Sequence, residues 1–356
     1  MLVSPPFIIP VAPSFKSPGR LEIPILDIRS KGTSGIESGL EEAIRAEVSA
    51  GLSRGYNDKE LPSLLLYDEE GLRLFEEITY QPDYYLTGVE INLLSKYASQ
   101  IADAVPDGAT ILELGAGALR KTALILDAIE AQGKSATYLA LDLDRAELIR
   151  TLGELRGRYT RISLAGLWGT YDDGRVWLMD VTGSPRFVLW LGSSIGNMTR
   201  NDAAQFIHSF GQVLRQQDCF LVAIDSKAHD PDEIRRAYND RCGVTRRFAL
   251  NALRVLNKLY GAEVIEISCF DYKPHYNEVQ GRNEAYFKCL KETSLRLKNQ
   301  EPILIYEGEY IRFAYSHKYD IVERKLLWSA ADAKPEKQWS IGDGDSYTLT
   351  MLSWSA

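Results

Sequence analysis

Residues 110–122 read TILELGAGALRKT, and residues 136–144 read ATYLALDLD. Each is an apolar run of strand length that stops at a turn, and a helical pattern follows each one. The first run passes from Leu114 into Gly115 and Gly117. Glycines there let a ligand approach the backbone, and the next helix offers free N–H groups at its N-terminus. The second run ends in Asp142, about 25 residues on, where a doubly wound sheet sets an acid against ribose hydroxyls. Asp144, with Glu147 three residues later, is the better helix cap, which leaves Asp142 for a ligand.

Outward from this point the same alternation continues. Strands are expected at Thr110–Leu114, Thr137–Leu141, Arg186–Leu191 and Cys219–Ile224, with helices near 121–132, 146–156 and 200–215. Thr199 caps the last of these helices. Alternation of this kind implies an α/β fold with a parallel sheet wound on both faces. The C-terminus adds a helix near 321–333 and an antiparallel hairpin, near 337–341 and 346–353. Residues 228–318 break the pattern: Asp230-Pro231-Asp232-Glu233 starts one helix, a second runs over 245–260 to Gly261, and an aromatic segment, CFDYKPHYNEVQGRNEAYF, follows. Upstream, Leu40, Ile44, Val48 and Leu52 mark a helix over 37–54. The expected organisation is an N-terminal arm (1–31), a core (89–227 and 319–356) and a discontinuous substrate-binding domain (32–88 and 228–318).

The chain has 356 residues, 45% of them hydrophobic and 25% charged, which excludes disorder and a disulfide scaffold. Its net charge of -8 argues against nucleic acid and anionic membranes as partners. Cys219, Cys242, Cys269 and Cys289 form no CxxC pair, so reduced thiols are expected and no metal site. No apolar run approaches the roughly 18 residues of a membrane helix. Met1–Arg20, rich in Pro and Ser, lacks the order of a signal peptide. A cytoplasmic monomer acting on a small molecule is the expectation.

Arg120 stands where a dinucleotide fingerprint has its third glycine, which disfavours NAD and FAD. One GxG turn, an acidic strand end at Glu113 and a ribose acid suit S-adenosylmethionine, which has no phosphate. Lys121 is placed to hold its methionine carboxylate, or else is a solvated helix lysine. After the strand 186–191 comes Gly192-Ser193-Ser194-Ile195-Gly196-Asn197, also at a carboxyl end. An Asn there can accept from an amine and donate to a carboxylate, or satisfy its own turn.

ELGAGALRKT, LALDLD, GLWGTYDDG, LGSSIGN and RAYND, in this order, resemble the ergothioneine-pathway histidine α-N-methyltransferases and the related fungal tryptophan and dimethylallyltryptophan N-methyltransferases. The resemblance runs from about residue 60 to near the end of the chain. It implies a class I Rossmann-like methyltransferase core with an inserted substrate domain, S-adenosylmethionine as cofactor and S-adenosylhomocysteine as product. By position it assigns Gly115, Gly117, Lys121, Asp142 and Gly192 to the cofactor, and Gly166 and Leu167 to its adenine. Tyr84, Asn197 and Tyr238 fall where the family grips the amino acid's amine and carboxylate, and Tyr67 and Ser316 near its side chain. The histidine enzymes carry Glu two residues before that Ser. Here the position is Ala314, which removes the partner of imidazole and suits indole.

The expected reaction is methylation of the α-amine of L-tryptophan, with Tyr84 and Asn197 as catalytic residues and no strong general base. 4-Dimethylallyltryptophan and histidine are the alternative substrates. A binding protein that kept the fold and a nicotinamide oxidoreductase are the rivals of other classes. Of the histidines only His317 is expected near the pocket. Tyr80 and Tyr85 are assigned to packing, and Phe248 and Trp168 to the core.

Overall fold

A computed structural model of the chain describes residues 22–29, 36–297, 301–342 and 345–355. Its central sheet has eight strands in the order β1-β4-β3-β2-β5-β6-β13-β12. These are β1 (Ile25–Asp27), β2 (Ala109–Leu114), β3 (Ala136–Asp142), β4 (Ile162–Trp168), β5 (Arg186–Trp190), β6 (Cys219–Asp225), β12 (Lys334–Ile341) and β13 (Tyr347–Ser353). β1 to β6 run parallel, whereas β13 lies antiparallel to both β6 and β12. Consecutive strands β2, β3 and β4 progress to one side, and the chain then returns to lay β5 and β6 on the other. The switch point lies between β2 and β5, and ligands of such sheets bind off the strand ends there.

The central strands are buried along their whole length because helices cover both faces. On one face α3 (Tyr85–Ala104), α4 (Thr122–Ala131) and α5 (Arg145–Glu154) bury Leu93, Leu126 and Leu148 against Ile111, Tyr138 and Phe187. On the other, α6 (Tyr171–Met179), α7 (Arg200–Gly211) and α10 (Ile321–Ala330) bury Leu178, Phe210 and Leu327 against Leu112, Val188 and Phe220. Predicted caps appear at Asp144, Thr199 and Asp230, each accepting backbone N–H groups of its first turn.

A second core is closed by two distant stretches of chain. Val48 and Leu52 on α1 (Ile36–Leu52), Leu74 and Ile78 on α2 (Glu69–Thr79), and Phe248 and Leu253 on α9 (Val244–Tyr260) pack together. They lie on a three-stranded antiparallel sheet of β7 (Phe270–Asn277), β8 (Arg282–Cys289) and β11 (Tyr310–His317), ordered β11-β8-β7. Phe287 and Phe313 stack within it at 4.2 Å. A ribbon of β9 (Thr293–Leu295) and β10 (Ile303–Ile305) completes this part, and α8 (Pro231–Ala237) joins it to the main sheet.

Several elements lie outside the sequence expectations. β4 and α6 occupy a stretch for which no element was expected, and Ile25–Asp27, expected in the N-terminal arm, pairs in parallel with Gly166–Trp168 as an edge strand. Residues 1–21 lie outside the described residues. The aromatic segment forms the β7–β8 hairpin, whose Pro274 and alternating exposed polar residues hide its apolar face from a reading by hydrophobic runs.

Candidate active site

The glycine turn closes the end of β2. Gly115 and Gly117 have φ of +65° and +50°, in the left-handed region that favours glycine. A Cβ on Gly115 would lie 2.6 Å from the Tyr171 hydroxyl, so the turn also depends on a bare backbone for space. Gly117 N–H donates to Asp142 Oδ2 at 3.4 Å and Asp144 N–H to Oδ1 at 3.1 Å. Burial raises the pKa of Asp142, and these backbone donors offset part of that shift. Glu113 is buried beneath the turn, bonded by Thr122 Oγ1 at 2.7 Å and by the Tyr138 hydroxyl. Burial pushes its pKa to about 7 against those hydrogen bonds. Glu113 therefore braces the turn from below. Two carboxyls at one turn make a poor seat for pyrophosphate and a suitable one for a ribose and a zwitterion.

Lys121 pairs with Glu90 of α3, Nζ to Oε2 at 2.7 Å, and Gly192 N–H donates to Oε1 of the same carboxylate at 2.8 Å. Gly115, Gly117, Lys121, Asp142 and Gly192 thus gather around the switch point. Gly166 and Leu167 do not join them. Both are buried inside β4; a Cβ on Gly166 would meet Ile25 at 2.5 Å, and Leu167 packs beneath the sheet. The β4 residue level with Asp142 is Trp168, half-buried, with the Arg29 guanidinium 3.2 Å above its ring.

Tyr67, Tyr84 and Tyr238 converge through two phenylalanines missing from the predicted site. Phe75 lies 6.4 Å from Tyr67 and 6.5 Å from Tyr84, Phe248 lies 6.0 Å from Tyr67, and Tyr84 meets Tyr238 edge-on at 6.5 Å. Burial pushes the Tyr67 phenol up to about 12, and burial with the neighbouring Tyr238 raises that of Tyr84 well above 10.0. Both stay neutral phenols at any working pH. Among the described residues no protein group bonds the Tyr67 or Tyr84 hydroxyl or the Asn197 side chain. Asn197 is exposed in the turn after β5. Ala314 and Ser316 sit two residues apart on β11, Ala314 against the second core.

Lys318 and Asp225, which tie the site together, were not predicted. Tyr238 Oη and Ser316 Oγ are 2.5 Å apart, and Lys318 Nζ donates to Tyr238 Oη at 2.8 Å. Lys318, 1% exposed, forms an ion pair with Asp225, fully buried at the end of β6. Tyr85 Oη donates to Asp225 Oδ2 at 2.7 Å, and Asp225 N–H donates to Ser193 Oγ at 2.9 Å. His229 lies 3.2 Å from Asp225 and 3.1 Å from Glu233, its ring on that of Tyr85. Burial disfavours all three charges, yet the partners win: the pKa of Lys318 is raised, that of Asp225 lowered and that of His229 raised. Tyr85 is thus part of a polar network, whereas packing was expected. Tyr80 is 60% exposed beneath Arg120. His317 is buried beside Arg200, and burial with that charge brings its pKa down to about 4, so it stays neutral. The sequence signals available for the network were Lys318, two residues after Ser316, and Asp225 at a strand end.

Comparison with known proteins agrees with this geometry. Residues 44–353 match the family of histidine-specific, S-adenosylmethionine-dependent methyltransferases. Ergothioneine biosynthesis protein 1 of Neurospora crassa is 38% identical over 89% of this chain, which spans only 36% of that longer protein. 4-Dimethylallyltryptophan N-methyltransferase easF of Arthroderma benhamiae is 34% identical over 89% of this chain and 93% of its own length. N-methyltransferase imqF of Aspergillus flavus is 32% identical over 96% and 90%. The central sheet is the class I, Rossmann-like core of S-adenosylmethionine methyltransferases, with its antiparallel C-terminal hairpin. The chain belongs to the histidine-specific methyltransferase family, and S-adenosylmethionine is its cofactor.

Proposed function

We propose that this member of the family methylates the α-amino group of an aromatic amino acid, with L-tryptophan as substrate. The observation that carries the reading is Ala314. It sits on β11 beside Ser316 and packs against the second core, where Phe75, Phe248 and Tyr67 bring ring edges together. An apolar, ring-lined space suits indole, and imidazole would leave its nitrogens unpaired there. The relative from Arthroderma benhamiae, matched over nearly its whole length, supports 4-dimethylallyltryptophan as the second reading.

In this reading residues 32–88 and 228–318 form the substrate unit, and residues 89–227 with 319–356 carry the cofactor. Gly115, Gly117, Lys121, Asp142 and Gly192 would hold S-adenosylmethionine, which would supply an electrophilic sulfonium methyl. The strand end of β4 would face its adenine, with Gly166 and Leu167 contributing backbone alone. Tyr84 and Asn197 orient the amine lone pair. Tyr84, held as a neutral phenol, bonds the amine without taking its proton. Burial disfavours the charged ammonium, so the amine enters neutral after losing its proton to solvent. Tyr238 and Ser316 have two protons and spend one on each other. The other faces the substrate carboxylate with the Lys318 charge behind it. Catalysis is chiefly positioning and exclusion of water. Four unpaired cysteines support a reducing, cytoplasmic setting.

The test is a mass-spectrometric assay of S-adenosylmethionine with tryptophan, 4-dimethylallyltryptophan, tryptamine and histidine. Methylated tryptophan with no product from histidine or tryptamine is expected. Methylation of histidine alone overturns the reading, and cofactor binding without any product leaves only a binding protein.

A further inference from the structure

A carboxylate is seldom buried unless it has work that a neutral side chain cannot do. Glu90 is 1% exposed and stands at the switch point, where it ties the helix that follows β2 to the turn that follows β5. Lys121 Nζ and Gly192 N–H donate to one oxygen each, and the buried Tyr347 hydroxyl faces the same carboxylate, which leaves room for one further donor among its about four lone-pair sites. Lys121 is the more accessible member of the pair, with 27% of its side chain accessible against 1% for Glu90. Gly192 makes room for it: φ is +77°, and a Cβ there would lie 3.0 Å from Lys121 Nζ.

We propose that Glu90 is a cofactor-binding residue, its carboxylate taking the methionyl ammonium of S-adenosylmethionine while Lys121 takes the methionyl carboxylate. The proposal rests on Lys121 as the carboxylate partner. The methionyl end carries one ammonium and one carboxylate on the same carbon, and the Glu90–Lys121 pair is its mirror in charge. Entry of that end exchanges one ion pair for two, with no net charge brought into a buried site. Lys121 turns outward to the carboxylate, and the ammonium takes its place on Oε2. The Gly192 N–H stays on Oε1 and keeps Glu90 oriented throughout.

Isothermal calorimetry tests this without turnover, on the wild type and Glu90→Gln. The ligands are S-adenosylhomocysteine, its analogue with hydrogen in place of the α-amino group, and 5′-methylthioadenosine, which lacks the amino-acid end. In the wild type, loss of the amino group should weaken binding about ten- to a hundredfold, the range for a buried charge-assisted hydrogen bond. Glu90→Gln should weaken S-adenosylhomocysteine to the same degree, leave 5′-methylthioadenosine unchanged, and lose nothing further when the amino group is removed. Equal weakening of S-adenosylhomocysteine and 5′-methylthioadenosine would overturn the proposal, because a brace for the two turns predicts that result. Unchanged S-adenosylhomocysteine affinity would overturn it as well. Should Glu90→Gln not fold, Glu90→Asp, which keeps the charge at shorter reach, must show the same selectivity. Lys121→Met, measured in parallel, should weaken S-adenosylhomocysteine and spare 5′-methylthioadenosine. If it spares both, the Lys121 assignment fails, and the amino-group cycle still judges Glu90 by itself.

Discussion

The hydroxyls of Tyr238 and Ser316 stand 2.5 Å apart, on elements separated by 78 residues of chain. Either can donate, so one proton lies between them and one is left over. With Lys318 donating to Tyr238, the remaining proton is the one that the proposed reading gives to the substrate carboxylate. Tyr238→Phe and Ser316→Ala should each raise KM for the amino acid by about tenfold or more and change kcat little, since the carboxylate is bound alike before and during transfer. Steady-state kinetics with tryptophan checks this. A fall in kcat at constant KM would place these groups at the reacting nitrogen instead.

Removing Lys318 tests the charge beneath them. Lys318→Met leaves Asp225 buried with its principal counter-ion gone. A loss of about 3–5 kcal/mol is expected, the range for breaking one side of a buried pair. Denaturant unfolding measures it, and Asp225→Asn in the same background should recover part of the loss.

His229 sets the pH window of this network. Its neighbours are Asp225, Glu233 and the Ser346 carbonyl, all acceptors, with the Tyr85 ring alongside. Its folded pKa is raised above 6.5, so its contribution is complete below about pH 6.5 and is lost as pH rises through the folded value. Asp225 behaves oppositely: its pKa is lowered, so its contribution is present above about 3.8 and disappears as pH falls through the folded value. Melting temperature between pH 6 and 9, roughly spanning the histidine range, should fall more steeply for the wild type than for His229→Gln.

Tyr84→Phe should slow turnover, on the order of tenfold, and leave the apparent pKa values of the pH–rate profile in place. A phenol held neutral by burial has no titration to remove. Disappearance of an alkaline limb in the variant would show Tyr84 acting as a base.

Ala314→Glu places a carboxylate beside Ser316. The longer side chain fills space that the indole ring needs, and overpacking of this kind costs about 1–3 kcal/mol. kcat/KM for tryptophan should fall at least about tenfold, with histidine methylation becoming detectable. Competition of the two amino acids in one mass-spectrometric assay reads both effects.

Much of the core was legible because its signals are local. The runs at β2, β3, β5 and β6 are short and apolar, and Asp144, Thr199 and Asp230 cap where their spacing predicts. The cofactor turn was legible for the same reason. β7, β8 and β11 were not, because polar residues such as Lys273, Glu284 and Arg312 break up their apolar positions and Pro274 interrupts the β7 pattern. For the candidate site, the sequence named residues inside motifs and did not name Asp225, Lys318, Glu90 or His229. Asp225, Lys318 and Glu90 owe their roles to partners far away in sequence; Lys318 and Asp225, for example, meet from the ends of two different sheets. Gly166 and Leu167 differ again: their motif is present, but it lies within a strand, where Leu167 packs into the core and a Cβ on Gly166 would meet Ile25.

The second core also constrains how such a chain can acquire a new substrate. Val48 and Leu74 meet Phe248 and Phe313 in one packed interior, although the whole parallel sheet separates them along the chain. A cassette carrying only the later stretch would graft half an interior onto a foreign half, with cavities and clashes costing several kcal/mol. Recombination between relatives must therefore exchange both stretches together. Single substitutions on β11, which alter the pocket and spare its walls, are the shorter route to a changed diet.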